Sequence, residues 1–488
     1  MKWIKHTCWV VVLPIVALSA QAAPVVDEPA VMPEAMLSVT VSDLHGLLDG
    51  VGGIAAQSSP MMNGMMLKNL IGMQLGDPGL VGLAPGKGFS IIALDATNIF
   101  AVVEVAEAQS AAYADMATTK GLAANYTNGV LVLGGSPDMV SKGIGLVGKV
   151  QSELLAKRSP SICIAAQPAA IVERNNEQIQ GFLQMMPALM GQGMPQAPGT
   201  ATNAVESTAK ILEGELRLVL SLAGQCETGE VVIMPDEGAI RISETFVPKA
   251  GTRLATLVGS AKTSKPNPRI QSGLLGDGMV LADFTMGNPD ALADFISAEA
   301  ENLFNEMGIK ELDLAGLTEK MVKWMRVCSG AACETFDFDA EDGMGVNYLL
   351  EVGDEAAALG LLKTLESDMA PFLKFYEGMG VEMAFEFEEN EREYKGIKIH
   401  QLEMEISMEG MSGEQRQQMD AMDMDEFEYD IAIFDGLMLY AMGETSIETV
   451  IDRIKDPATT VKPIAARGVY PAGGFYYFDF DVGRYMEF

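Results

Sequence analysis

The same order of local signals is written into this chain twice, and that repetition constrains the fold more than any single motif. Phe100 to Ala106 (FAVVEVA) alternates like a strand and runs into an Ala-rich helical stretch, Glu107 to Thr118. Far along the chain, Tyr348 to Gly353 (YLLEVG) alternates in the same way and enters Asp354 to Leu365 (DEAAALGLLKTL). Glu104 and Glu351 hold the same place in the two strands, each just before a valine. Tyr126 to Leu133 then reads as a hairpin with Asn128-Gly129 in its turn, and Ile431 to Tyr440 as another with Asp435-Gly436. Both dipeptides tolerate the positive φ that a two-residue hairpin loop requires. Helix starts follow at Gly135-Ser136-Pro137-Asp138 and at Gly443-Glu444-Thr445, where Thr445 and Glu448 match a capping box ahead of Ile447, Val450, Ile451 and Ile454. The recurrence predicts an α+β protein of two related domains of antiparallel sheet with helices, made by internal duplication. One large sheet whose halves share local grammar is the alternative.

Length agrees with two cores, because 488 residues exceed the roughly 250–300 at which a single core stops growing. The expected domains are 23–250 and 251–488. A strand that ends on a polar residue or proline and enters a helix occurs at Met36–Gly46, Cys163–Gly181 and Met279–Phe295, and starts again at Gly474–Phe488. The second domain therefore reads either as truncated at its C-terminus or as closed by a last strand. Leu216 to Leu222 and Glu230 to Val247 are expected to form a meander closing the first domain. Near Glu382, Met383, Phe385 and Phe387 alternate with Ala384, Glu386 and Glu388, while the returning strand changes parity between Ile399 and Leu402. That change predicts a β-bulge near His400-Gln401.

Residues 1–22 combine basic Lys2 and Lys5, an apolar run from Thr7 to Ala20 and the small-x-small site Ala20-Gln21-Ala22. The run is shorter than the ~20 residues needed to cross a bilayer, so it reads as a secretory signal peptide. The expectation is an exported protein, periplasmic or secreted, with no transmembrane segment in the mature chain. Four cysteines remain after cleavage: Cys163, Cys226, Cys328 and Cys333. An oxidising compartment favours pairing. Cys328 and Cys333 flank a short turn between strand-like runs, which leaves Cys163 with Cys226; buried free thiols are the alternative.

Charge argues against one class. With 33 Lys plus Arg against 67 Asp plus Glu the net charge is −34, and nucleic-acid binding requires a basic surface. Residues 381–430 alone hold 16 acidic and 4 basic side chains, a solvated sheet face and a place for a cationic partner. Catalytic machinery is hard to assemble. The mature chain has two histidines, His45 and His400, and no G-x-S-x-G elbow. Ser207 to Lys210 has the S-x-x-K spacing but lacks the companion motifs. Gly82 to Gly88 resembles a phosphate loop only in its glycines, since Gly88 stands where Ser or Thr would hold magnesium. No residue is assigned a catalytic role, and no cofactor is implied.

Two metal readings stay open. Asp337, Asp339 and Glu341 make an oxygen-rich turn with a calcium-like look, although Tyr348 replaces the closing Glu of an EF-hand loop. Methionine is abundant at 33 residues, and Met419, Met422 and Met424 lie among carboxylates as soft ligands for Cu(I). The other clusters, Met61, Met62, Met65 and Met66, and Met185, Met186, Met190 and Met194, suit adaptable packing on a helix face or in a groove; the first, with Leu67, Leu70 and Ile71, reads as a plain amphipathic helix.

The strand-to-helix opening LSVTVSDLHGLL, the run GLAPGKGFSIIAL, the EV-ended strands and Tyr394-Lys395-Gly396-Ile397 together resemble a group of exported bacterial proteins of unknown function, of planctomycete-like type. The resemblance carries no catalytic residue. The functional expectation is a binding or scaffolding module for an apolar ligand or protein partner. An extracytoplasmic hydrolase using carboxylates, and copper or calcium binding, are the alternatives.

Overall fold

The computed structural model describes residues 32, 34–59, 61–74, 76–156, 160–193, 213–214, 216–236, 239–260, 280–285, 288–306, 314–327, 330–339, 343–377, 382–407, 426–443, 447–456 and 476–480. Eight strands form a first sheet: β1 (Leu37–Val41), β2 (Phe89–Ala93), β3 (Ile99–Glu104), β4 (Ala123–Thr127), β5 (Val130–Gly134), β6 (Ile162–Ala166), β7 (Cys226–Asp236) and β8 (Ala239–Pro248). Its order is β4-β5-β3-β2-β1-β6-β7-β8. Between the strands run α1 (Leu44–Ser58), α2 (Gly64–Gln74), α3 (Glu107–Thr119), α4 (Pro137–Lys149) and α5 (Pro168–Arg174). After α6 (Asn176–Gly193) and α7 (Arg253–Ser260), a second sheet takes β9 (Val280–Thr285), β10 (Ala331–Asp339), β11 (Gly343–Glu351), β12 (Glu382–Tyr394), β13 (Ile397–Ser407), β14 (Glu426–Phe434), β15 (Leu437–Met442) and β16 (Tyr476–Phe480). Its order is β12-β13-β14-β15-β11-β10-β9-β16, and its helices are α8 (Pro289–Glu306), α9 (Leu314–Val327), α10 (Glu355–Glu377) and α11 (Ile447–Lys455).

The two sheets share a six-stranded core, register for register. Phe89 pairs with Val41 and Val103 as Ala332 pairs with Phe284 and Leu350. Leu131 pairs with Val103 and Tyr126 as Met438 pairs with Leu350 and Ile433. At the other side, Val41 meets Ile162 as Phe284 meets Tyr476. Five antiparallel pairings in the same order and register are the structural form of the duplication. Each copy is then extended at a different edge, the first by the β7–β8 hairpin beyond β6, the second by the β12–β13 hairpin beyond β14.

Local chemistry repeats with it. Asn128 and Gly129 have φ of 50° and 80°, and Asp435 and Gly436 have 52° and 75°, the paired positive values of a type I′ turn. Lys395 and Gly396, at 51° and 79°, make the same turn between β12 and β13. Glu104 Oε2 accepts the Gly88 amide at 3.1 Å, and Glu351 Oε2 accepts the Ala331 amide at 2.8 Å. In both copies this carboxylate satisfies a backbone N–H at the entry to the neighbouring strand. Asp43 caps α1 through Gly46 N, and Ser136 caps α4 through Met139 N with Pro137 following.

One face of the first sheet packs Ile92, Phe100, Val102 and Val132 against Val140 and Val147 of α4. The other buries Val41 and Leu131 against Leu44, Leu47 and Leu48 of α1 and Tyr113 of α3. In the second sheet, Ile447, Val450, Ile451 and Ile454 of α11 close over Leu349, Ile399, Ala432 and Leu439. The proposed capping residue Thr445 lies outside the described residues. By contacts, Val25–Asn175 with Ala223–Ala250 form one compact unit, and Asn176–Leu222 with Gly251–Phe488 the other. Among the described residues no helix is long and apolar enough to cross a membrane.

Two local expectations change. Residues 216–224 are helical rather than a strand: Leu218 and Leu222 are buried one turn apart while Val219 is exposed. An apolar run of that length is ambiguous by pattern, and burial on one helical face decides it. The β-bulge does lie at His400, but on the partner strand, where residues between Glu388 and Arg392 break register. β13 keeps its own register against β14 and buries Ile397 and Ile399 on one face and Leu402 on the other.

Candidate functional site

In the first unit α2 is the element whose surface fits its position least. Asn63 caps it, its Oδ1 accepting the Met66 amide at 3.1 Å. Leu67 and Ile71 turn inward to the core of α1 and α3. A Cβ on Gly52 would overlap the Gly64 backbone, so α1 and α2 meet backbone to backbone. The outward face is apolar as well: Met61 is 79% exposed, Met65 74% and Met73 63%, with Met62, Met66 and Leu70 about half exposed. The methionines thus face outward instead of serving the core of a plain amphipathic helix. From residue 61 to residue 74 the one charged side chain is Lys68, and it is held by Asp49 at 2.7 Å. A surface helix ordinarily turns a charged face outward.

The turn that abuts α2, Pro78–Leu80, is pinned from two sides. Asp77 accepts the amides of Val81 at 3.1 Å and Gly82 at 2.7 Å, and the Tyr113 hydroxyl at 2.5 Å. Burial and that bond to Asp77 raise the Tyr113 phenol above its ordinary range. From beneath, His45 Nε2 donates to the Leu83 carbonyl at 2.6 Å and the Leu80 carbonyl at 3.2 Å. Leu80 is fully buried with φ of 56°, a left-handed conformation that costs a non-glycine residue about 1–2 kcal/mol. Its neighbour Val81 is presented 70% exposed. His45, in the first turn of α1, thereby clamps the loop.

The second unit holds a different kind of site. Glu334 on β10 lies opposite Tyr348 on β11, which lies opposite Tyr440 on β15, so the three side chains form a row on one face of the sheet. The two tyrosine rings are 6.1 Å apart, tilted by 57°. Glu334 is 6% exposed, and its Oε2 has no hydrogen-bond partner. Burial pushes its carboxyl up to about 7. Tyr429 on β14 is raised by burial first and by the Glu334 charge second, which brings it into the same electrostatic neighbourhood. In the first copy the matching positions, by register, are Ile91, Ala101 and Leu133. The fold does not need a carboxyl there. Sequence reasoning missed Glu334 because the two copies align only once strand pairing is known.

Among the described residues, the other singled-out side chains do not converge on a site. Cys226 is a buried thiol, pushed up to about 11 by burial, so the expected bridge to Cys163 is not formed. Register explains it: Cys163 lies opposite Val232, six residues from Cys226 along β7, or about 20 Å. Cys333 is buried on β10; Cys328, with which it was matched, lies outside the described residues. So do Glu341, Met419, Met422, Met424, Ser207 and Lys210. The backbones of Asp337 and Asp339 pair with Gly345 and Gly343 in the β10–β11 hairpin. Among the described residues no group of three or more His, Cys, Asp or Glu could hold a metal ion. His400 is 3% exposed, its ring stacked on Phe387 and its Nδ1 accepting the Asn390 amide at 3.1 Å. It holds the bulge of β12, and burial lowers its pKa. Beside it, Leu362, Leu365, Phe385, Phe387 and Leu402 line a groove of about 220 Å³ between α10 and β12. No family model matches the chain, and no curated protein or solved structure matches it.

Proposed function

We propose that the protein is an exported, non-catalytic binding module that docks an apolar segment of a partner protein on the outward face of α2. The observation that carries this reading is the solvent exposure of Met61, Met65, Leu70 and Met73 on a helix whose only charge is already paired. Contiguous apolar surface of this kind marks interaction sites, and unbranched methionine adapts to a partner's shape. Outward-facing side chains of a surface helix suit a protein segment better than a small molecule, which seeks a concave pocket. A net charge of −34 opposes approach to an anionic bilayer. The clamped 77–83 turn gives the face a fixed border, so docking orders little of the protein itself.

Methionine-oxidation footprinting tests this. A native extract of the producing cells is treated with dilute peroxide, in parallel with the purified mature protein, and the peptides covering residues 61–74 are quantified. Protection of Met61, Met65 and Met73 in the extract, abolished by a Leu70→Glu substitution, is the expected outcome. Equal oxidation in both samples would refute the reading.

A further inference from the structure

We propose that Glu334, Tyr348, Tyr429 and Tyr440 form a binding site for an organic ammonium group. The reasoning starts from a carboxyl oxygen that is buried and has no hydrogen-bond partner. A buried carboxylate is costly unless a cation compensates it, yet burial alone accounts for the behaviour of Glu334, with no neighbouring positive charge contributing. The duplicated copy serves as an internal control. At the same register it carries Ile91, Ala101 and Leu133, with Ile91 43% exposed where Glu334 is buried, so the strand pairing itself requires no carboxyl. Glu334, Tyr348 and Tyr440 are additions to it.

The identity of the three neighbours narrows the ligand. A hard cation such as calcium takes six or more oxygen ligands, and no such group of carboxylates is found among the described residues. Aromatic faces attract organic cations, quaternary ammonium above all, through the ring quadrupole. Here the two rings of Tyr348 and Tyr440 are tilted toward one another at 6.1 Å, and Tyr429 supplies a third. All three tyrosines are partly exposed, which leaves a route from solvent. Residues 381–430, part of the same unit, carry 16 acidic against 4 basic side chains, a field that draws cations toward it. The proposal does not depend on the α2 docking face, which belongs to the other unit.

The probes are tetramethylammonium, choline and 3,3-dimethyl-1-butanol, the uncharged isostere of choline, each titrated into the full mature chain and followed by NMR of the tyrosine ring protons. Saturable binding of the two ammonium probes is expected, tightening as the carboxyl ionises through pH about 7, with the neutral isostere failing to bind. Glu334→Gln should weaken binding by about tenfold or more, and Tyr348→Leu likewise, while Tyr348→Phe keeps the ring and the affinity. Absence of saturable ammonium binding to the folded protein would overturn the proposal. So would equal binding of the neutral isostere, or unchanged affinity in a folded Glu334→Gln variant. Should that variant not fold, the Tyr348→Leu and Tyr348→Phe pair decides, since equal affinities for the two would refute a cation held by the rings.

Discussion

Replacing Glu334 with Gln should make the second unit more stable in alkaline solution and leave it nearly unchanged in acid. In the folded protein the carboxyl keeps its proton up to a pH of about 7, against 4.5 for an ordinary glutamate. Between those values the folded chain binds a proton that the unfolded chain has released, so stability falls as pH rises through the window. At ~1.4 kcal/mol for each tenfold, the loss above the window is about 3 kcal/mol. Glutamine is neutral throughout and escapes it. Tyr429, the phenol that the Glu334 charge reaches, is itself raised by burial, away from this range. Other carboxylates are common to both proteins and cancel in the difference. The mature chain offers a clean probe, because Trp3 and Trp9 lie in the segment expected to be cleaved and Trp324, on α9, is the one that remains. Urea unfolding followed by Trp324 fluorescence at pH about 5 and about 8.5 gives the two free-energy differences. A gap between variant and wild type that is the same at both pH values refutes the reasoning.

Two further substitutions test the shared architecture. Glu104→Ala strands the Gly88 amide, and Glu351→Ala the Ala331 amide; each should cost its own unit about 1–3 kcal/mol, with only the second visible in Trp324 fluorescence. Gly88→Ala should prevent stable folding of the first unit, because the new Cβ would overlap the Val41 carbonyl, whereas Gly53→Ala, with open space around it, should raise stability by up to about 1 kcal/mol through helix propensity. Thermal melts by circular dichroism distinguish the two, and matching melts would contradict the packing.

The duplication was legible because it is carried by residues with strong local requirements. Asn128-Gly129 and Asp435-Gly436 declare a turn on their own, and Glu104 and Glu351 each precede a valine at a strand end. Residues whose meaning depends on what surrounds them were not legible. Leu216 to Leu222 is equally apolar as strand or helix until its neighbours choose a face. The methionines of α2 look like core residues in sequence, since apolar character alone does not say which side of a helix is covered. Glu334 sits in an ordinary strand pattern, and only the pairing of β10 with β11 shows that it replaces an isoleucine. The candidate sites rest on such residues, which is why the fold was read further than the function.

The unequal edges of the two copies carry a consequence for how the chain reaches its native state. A tandem duplicate risks assembling with a strand of one copy inserted into the sheet of the other, a failure characteristic of repeated sequences. Here such an exchange is penalised twice. A β10 seated in place of β2 would bring Glu334 to the position of Ile91, facing Ala101 and Leu133 instead of its tyrosines. A sheet that took its β6 edge from the first copy and its β14 edge from the second would carry both added hairpins, and the complementary sheet neither, because one is joined to β6 and the other to β14. The divergence of the copies therefore acts as a proofreading device in folding, which keeps two similar halves from being mistaken for one another.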